Sequence, residues 1–252
     1  MNSNCIIKIC RSILILQFIF YMSIFTTRCN NLLQQQSEII PQNLPLTIYP
    51  SQVIDTAKPM IFMISGDGGW TKFDNEMCEN LAKNGLPVVA LDARKYFWNH
   101  KTAKLTSSEI ERSVQSYMQL WNKKGFLLFG FSFGASIAPF IVEYFSGSIQ
   151  KSLKGIYCLS PDLKADFEIH VGDMLGFGSN NDTLDVVGQM LRMKRFVPVC
   201  IFGHDEPLSV HSKFEEAGLK VITVPGSHHF NNDATKVAEV IAEEVNRSVF
   251  KK

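Results

Sequence analysis

Phe126-Leu127-Leu128-Phe129-Gly130-Phe131-Ser132-Phe133-Gly134-Ala135-Ser136 decides how this chain is read. An apolar run suited to a buried strand enters Gly130-x-Ser132-x-Gly134, and an apolar segment that suits a helix follows. Such a strand–turn–helix lifts the serine above the sheet on a tight turn, the geometry of a nucleophile elbow. The two glycines are needed where a side chain would strike the neighbouring strand or helix. Ser132 then lies at a helix N-terminus, where unbonded N–H groups favour a developing oxyanion. Five residues of this kind occur by chance. The strand before them and the helix after them give the pattern its weight.

Outward from the elbow, strands and helices alternate. Residues 46–49, 59–64, 86–91, 126–129, 155–159, 198–202 and 219–224 read as strands. Residues 73–83 have helical spacing, with Phe73, Met77 and Leu81 on one face, and Asn84-Gly85 stops them. A helix over 106–121 has N-cap candidates in Thr106-Ser107-Ser108-Glu109. Another runs from the elbow to about residue 145, and two more cover 210–217 and 233–249. Residues 162–194 read as an irregular insertion between elbow and acid, where lids lie, with Gly172, Gly176 and Gly178 allowing movement. Near-continuous apolar strands alternating with helices predict a mostly parallel sheet covered on both faces.

Serine becomes a useful nucleophile only when a base takes its proton. In an α/β-hydrolase fold the acid and the histidine follow the serine in chain order, each after a late strand. Both places are filled here, by Gly203-His204-Asp205-Glu206-Pro207-Leu208 and by Pro225-Gly226-Ser227-His228-His229-Phe230. Spacing from Gly203 selects Glu206, with Asp205 the alternative. A Pro-Gly-x-x-His loop selects His229, with His228 the alternative. An oxyanion hole needs two backbone donors. Phe133, next after the serine, supplies one. The loop Ser65-Gly66-Asp67-Gly68-Gly69-Trp70 supplies the other, from Asp67 or Gly68. No Gly-Lys-Ser/Thr follows that loop, so it is not a phosphate loop. His204, His228 and His229 lack metal-ligand spacing on one rigid element, and no metal or cofactor is implied.

The bulk numbers bound the rest. The chain has 252 residues, 46% of them hydrophobic, and a net charge of +1. One α/β domain with an N-terminal extra fits that length. Neither a polyanion partner nor nucleic acid is indicated. Lys8 and Arg11 precede an apolar run over 13–25, the pattern of a secretory signal over 1–28, or of an uncleaved anchor. A polar, glutamine-rich linker follows over 29–43, and the hydrolase domain is expected over 44–252. Cys78, Cys158 and Cys200 fall in apolar contexts without a Cys-x-x-Cys and read as buried free thiols.

Several runs together resemble the VirJ family of bacterial virulence proteins, which also forms the C-terminal part of AcvB. They are Gly66-Asp67-Gly68-Gly69-Trp70, Leu91-Asp92 with Tyr96-Phe97-Trp98 and Lys101-Thr102, the elbow, Ala165-Asp166-Phe167-Glu168-Ile169-His170-Val171, and Pro225 to Phe230. The resemblance implies an exported α/β-hydrolase that removes the aminoacyl group of lysyl-phosphatidylglycerol outside the cytoplasm, at the outer face of the inner membrane. It also implies a link to virulence and type IV secretion, with secretion-system proteins as partners.

An aminoacyl ester carries an ammonium, which Asp67, Glu168 or Asp173 is placed to receive. Trp70, Tyr96 and Trp98 are the candidate substrate-binding aromatics. Tyr96-Phe97-Trp98 and Met174-Leu175-Gly176-Phe177 are candidate apolar rims toward a membrane or acyl chain. A general carboxylesterase or lipase, and a non-catalytic periplasmic secretion partner on a hydrolase scaffold, are the competing readings.

Overall fold

Strands buried at every position need cover on both faces, and the chain supplies it from both sides. The computed structural model describes residues 44–53, 55–169, 183–193 and 195–250. The expected signal and linker, and residues 170–182 of the insertion with Asp173, its glycines and the candidate rim Met174-Leu175-Gly176-Phe177, lie outside the described residues.

The main sheet has seven strands, β1 (Leu46–Tyr49), β2 (Met60–Ile64), β3 (Val88–Leu91), β4 (Phe126–Phe131), β5 (Leu153–Leu159), β8 (Val199–Gly203) and β9 (Lys220–Val224). Their spatial order is β1-β3-β2-β4-β5-β8-β9. Only β1 runs antiparallel, on β3, and every other pairing is parallel. This is the α/β-hydrolase arrangement, with β4 carrying the elbow at the centre.

Alternation along the strands sorts the two layers. Ile61, Met63, Leu127, Phe129 and Ile201 face one side, where α1 (Lys72–Lys83) and α8 (Ala234–Phe250) cover them through Phe73, Met77, Leu81, Val237 and Ile241. Phe202, on the opposite phase, meets Phe214 of α7 (Leu208–Glu216) with ring centroids 5.2 Å apart. The expected buried thiols Cys78, Cys158 and Cys200 are all buried and free.

The structure adds elements that periodicity did not reveal. These are the single turn α2 (Ala93–Tyr96), the short α5 (Gly147–Ser152), and a ribbon of β6 (Lys164–Ala165) paired antiparallel with β7 (Leu184–Asp185). The ribbon leads into α6 (Val186–Arg192). So the described parts of the expected irregular insertion hold regular structure at 164–165 and 184–192 and are irregular elsewhere. Two-residue strands and six- or seven-residue helices show too few repeats for a period to be seen.

The N-cap expectation for the long helix is corrected. α3 (Ala103–Leu120) begins a turn earlier, with Thr102 Oγ1 accepting from Leu105 N–H at 3.1 Å. Thr106 and Ser107, expected at the cap, are buried inside the helix, and Glu109 lies in its second turn. A cap needs an extended backbone and a side chain free to turn back, which Thr102 has.

α4 (Phe133–Glu143) presses on β2 so closely that a Cβ on Gly134 would sit 2.7 Å from the Ser65 carbonyl oxygen. A Cβ on Gly147 would meet nothing within 4 Å. Gly134→Ala is therefore expected to cost about 3 kcal/mol or more in chemical denaturation, while Gly147→Ala is neutral or stabilising by a few tenths.

Candidate active site

The ends of β2, β4, β5, β8 and β9 converge at the carboxyl edge of the sheet. At the end of β4, Ser132 holds φ 51° and ψ −114°, a conformation that costs a non-glycine residue of order 1–3 kcal/mol. The neighbours enforce it. Ser132 N–H donates to the Leu159 carbonyl at 2.8 Å, and the Gly130 backbone packs directly against Gly134.

Ser132 Oγ lies 3.0 Å from His228 Nε2, and His228 Nδ1 lies 3.1 Å from Glu206 Oε2. An ionised carboxylate only accepts, so Nδ1 carries the proton and Nε2 accepts from the serine hydroxyl. Glu206 is 8% exposed. Its other oxygen accepts from Ser160 Oγ at 2.6 Å and from Gly203 N–H at 2.6 Å. Burial pushes this carboxyl up, but the hydrogen bonds from His228, Ser160 and Gly203 outweigh it and its pKa falls. The bond to Glu206 raises the pKa of His228 against the effect of burial, and Glu206, Asp162 and Asp67 add their fields.

Geometry separates the members of both adjacent pairs. Glu206 turns inward to His228, whereas Asp205 is exposed and faces its neighbour His204 at 3.1 Å. His228, not His229, meets Ser132. His229 is exposed, with its ring edge-on to Phe131 and to His228. Counting from Pro225-Gly226 misses this because the loop is unusually wound. Gly226 has φ 107°, and Phe230, Asn231 and Asn232 are all left-handed. Phe230 is fully buried, its ring 6.0 Å from Phe73, and this anchor sets the register of the residues before it. Gly203 lies so close to the Gly226 and Ser227 carbonyls that a side chain there would collide with them. Asp205 N–H donates to the Gly226 carbonyl at 2.9 Å, tying the acid loop to the histidine loop.

The backbone donors expected for an oxyanion lie beside the serine. Phe133 opens α4, so its N–H has no partner within the helix. Gly68 N–H is occupied by Asp67 Oδ1 at 2.9 Å, which leaves Asp67 as the donor in that loop. Gly66 brings the loop close, since a Cβ there would sit 3.5 Å from Ser132 Cβ.

A pocket of about 190 Å³ opens at Ser132, lined also by Phe133 and Ser136. Its charged lining is Asp67, Asp162, Asp166 and Glu168 against Lys164. Asp162 has solvent access at the mouth, yet surrounding protein raises its pKa against the opposing field of His228, and Asp67 and Glu206 add smaller pushes upward. Spacing did not single out Asp162 or Ser160, since neither belongs to a motif. Of the candidate aromatics, Tyr96 is buried with its hydroxyl on Glu109. Trp70 donates from Nε1 to Tyr49 Oη at 3.1 Å and shares a separate surface depression with Trp98. None of these aromatics lines the serine pocket.

A parallel sheet with an elbow serine, a late carboxylate and a late histidine defines the α/β-hydrolase class. Solved structures share the fold at low identity. Est1E from Butyrivibrio proteoclasticus is 14% identical, with a TM-score of 0.61, over 84% of this chain and 98% of its own. Proline iminopeptidase from Mycobacterium smegmatis is 9% identical, with a TM-score of 0.55, over 81% and 95%. The Pyrococcus furiosus esterase Pf2001 is 13% identical, with a TM-score of 0.54, over 82% and 93%. No curated protein matches the chain. Residues 58–249 match the family described as bacterial virulence protein (VirJ), and the chain belongs to that family.

His228 is expected to titrate above the ordinary value of about 6.5 when its ring is followed by NMR. Glu206→Gln removes the negative partner that favours the imidazolium, so the midpoint should move down. A midpoint unmoved by that change would sever His228 from Glu206.

Proposed function

We propose that this protein is an exported serine hydrolase that cleaves the aminoacyl ester of an aminoacylated phospholipid such as lysyl-phosphatidylglycerol. The observation that carries the reading is the excess of carboxylates around Ser132. Asp67, Asp162, Asp166 and Glu168 suit an acyl group bearing an ammonium, which a neutral fatty acyl ester lacks. The lipid, the export and a link to secretion-system proteins draw their support from the VirJ family and from the basic and apolar N-terminal pattern.

In the reaction, Ser132 Oγ attacks the ester carbonyl carbon while His228 Nε2 takes the hydroxyl proton. The carbonyl π pair moves to oxygen, and the N–H groups of Phe133 and Asp67 hold the resulting oxyanion. Glu206 orients His228 and stabilises its imidazolium. Collapse breaks the bond to the leaving oxygen, which receives the proton from His228, and leaves the acyl group on Ser132. Water then attacks the acyl-enzyme with His228 again as base. The second tetrahedral intermediate collapses by breaking its bond to Ser132 Oγ, which takes the proton back from His228 Nε2, and the amino acid departs.

Ser132→Ala and His228→Ala should each reduce lysine release from lysyl-phosphatidylglycerol vesicles by about 10⁴-fold or more, and His229→Ala by less than about tenfold. Unchanged turnover in Ser132→Ala would sink the serine mechanism, whereas no labelling of Ser132 by a fluorophosphonate would favour a non-catalytic secretion partner. Asp162→Asn should lower kcat/KM for a lysyl ester about fivefold relative to a neutral acyl ester of the same alcohol. Equal turnover of neutral and aminoacyl esters by the wild type would make the protein a general carboxylesterase or lipase. Because the base must be neutral, kcat/KM should rise with pH through the raised His228 pKa, with its acid limb centred above about 6.5.

A further inference from the structure

The oxyanion loop borders two depressions of opposite character. Asp67 lines the acidic pocket, while the next residues, Gly68, Gly69 and Trp70, line a wider one of about 590 Å³ with Asp92, Arg94, Lys95 and Trp98. Asp92 is committed locally. One oxygen caps α2 by accepting from Lys95 N–H at 3.2 Å, and the other holds Lys95 Nζ at 3.0 Å. Arg94 makes no ion pair among the described residues, so this face carries uncompensated positive charge. Its stem packs on Gly69, where a Cβ would come within 3.2 Å of Arg94 Cβ.

Trp98 is 51% exposed. A large amphipathic ring left in water beside exposed cations suits the headgroup level of a bilayer. It suits a small soluble anion poorly, because such a ligand needs donors that enclose it, and the Lys95 side chain is 73% exposed. Asn99, next to Trp98, completes the polar edge of the depression.

This face is fastened to the wall of the serine pocket. Ile169 N–H donates to the Phe97 carbonyl at 3.0 Å, and Lys101 N–H donates to the Phe167 carbonyl at 3.0 Å. His100 Nδ1 lies 3.6 Å from Glu168 Oε2, a carboxylate of that pocket. Whatever holds Trp98 therefore holds the mouth over Ser132 nearby. Among the described residues no helix is long and apolar enough to cross a membrane, so contact of this part of the chain with lipid must be made from its surface.

We propose that the Trp98, Arg94 and Lys95 face docks onto an anionic phospholipid bilayer, with the indole at headgroup level and the two cations against lipid phosphates. The inference rests on the lipid reading above for its place in function, but its test is independent of turnover. The full chain is used as Ser132→Ala, with Trp70→Phe and Trp121→Phe leaving Trp98 as its only tryptophan. Any lipid affinity of the N-terminal apolar run is then common to all variants, and Trp98 reports on this face alone.

Vesicles of phosphatidylglycerol with phosphatidylcholine should shift Trp98 emission to the blue, and lipids brominated high on the acyl chain should quench it. Vesicles of phosphatidylcholine alone should do neither. Arg94→Gln with Lys95→Gln should weaken the Trp98 response about ten- to thirty-fold in lipid concentration, as should raised salt. Circular dichroism checks the fold of that double variant. If it unfolds, the bromide quenching with both cations intact decides. Trp98 emission unmoved on vesicle-bound protein, an equal response to neutral vesicles, or a folded double variant that responds as its parent would overturn the proposal. So would displacement of the response by millimolar soluble glycerol phosphate, which would mark a small-anion site instead. Lysine release lost in Ser132→Ala while Trp98 docks would leave both readings standing, and docking without any lysine release in the wild type would remove only the reaction.

Discussion

The carboxylate of Glu206 is the point on which the site closes. It is nearly buried, and a buried charge is tolerable only when hydrogen-bond donors replace the water it has lost. Three donors do so, and each comes from a different part of the chain. Ser160 follows β5, Gly203 N–H ends β8, and His228 belongs to the loop after β9. Satisfying this one group therefore aligns three strand ends, and the alignment leaves the imidazole facing Ser132. All three bonds lower the Glu206 pKa and the one to His228 also raises that of the imidazole, so the carboxylate stays ionised as the acceptor that fixes the histidine tautomer.

Such convergence requires backbones to approach more closely than side chains allow. Gly134 lies against β2, Gly203 against the histidine loop, and Gly226 against Phe230 and Asn231. Strain gathers at the same edge, with Ser132, Ser160 and Phe230 to Asn232 all at positive φ. The apolar layer holds these residues in place. Phe131, immediately before the serine, packs near Phe73, His228 and His229, and Phe230 is wholly enclosed. The rigid core thus maintains a local geometry that an isolated turn would not keep.

Charge is divided along the oxyanion loop. Carboxylates collect on the side that holds the ester's acyl group in the proposed reaction, and cations with an exposed indole collect on the next stretch. A lipid with an ammonium on its acyl part and a phosphate beyond its leaving oxygen has the matching distribution. Both faces hang on segments bonded to one another through Phe97, Lys101, Phe167 and Ile169, so the acidic and the basic stretch are held side by side.

Much of this was legible in the residues alone. Apolar runs of strand length and the period of α1 foretell the parallel sheet and its cover, because burial on both faces demands continuous apolar strands. Ser132 is legible because its turn needs Gly130 and Gly134 at fixed offsets. The short pieces α2, α5, β6 and β7 are not, since they hold too few repeats for a period. Ser160 and Asp162 belong to no motif, and they enter the site only because β5 ends beside β4. By itself, then, the sequence determined the sheet, the elbow and the two loops that carry the carboxylate and the imidazole. Tertiary structure alone chose Glu206 over Asp205 and His228 over His229. Neighbouring residues of the same chemistry differ only in direction, and direction here follows from the buried Phe230 and the left-handed turn that its packing enforces.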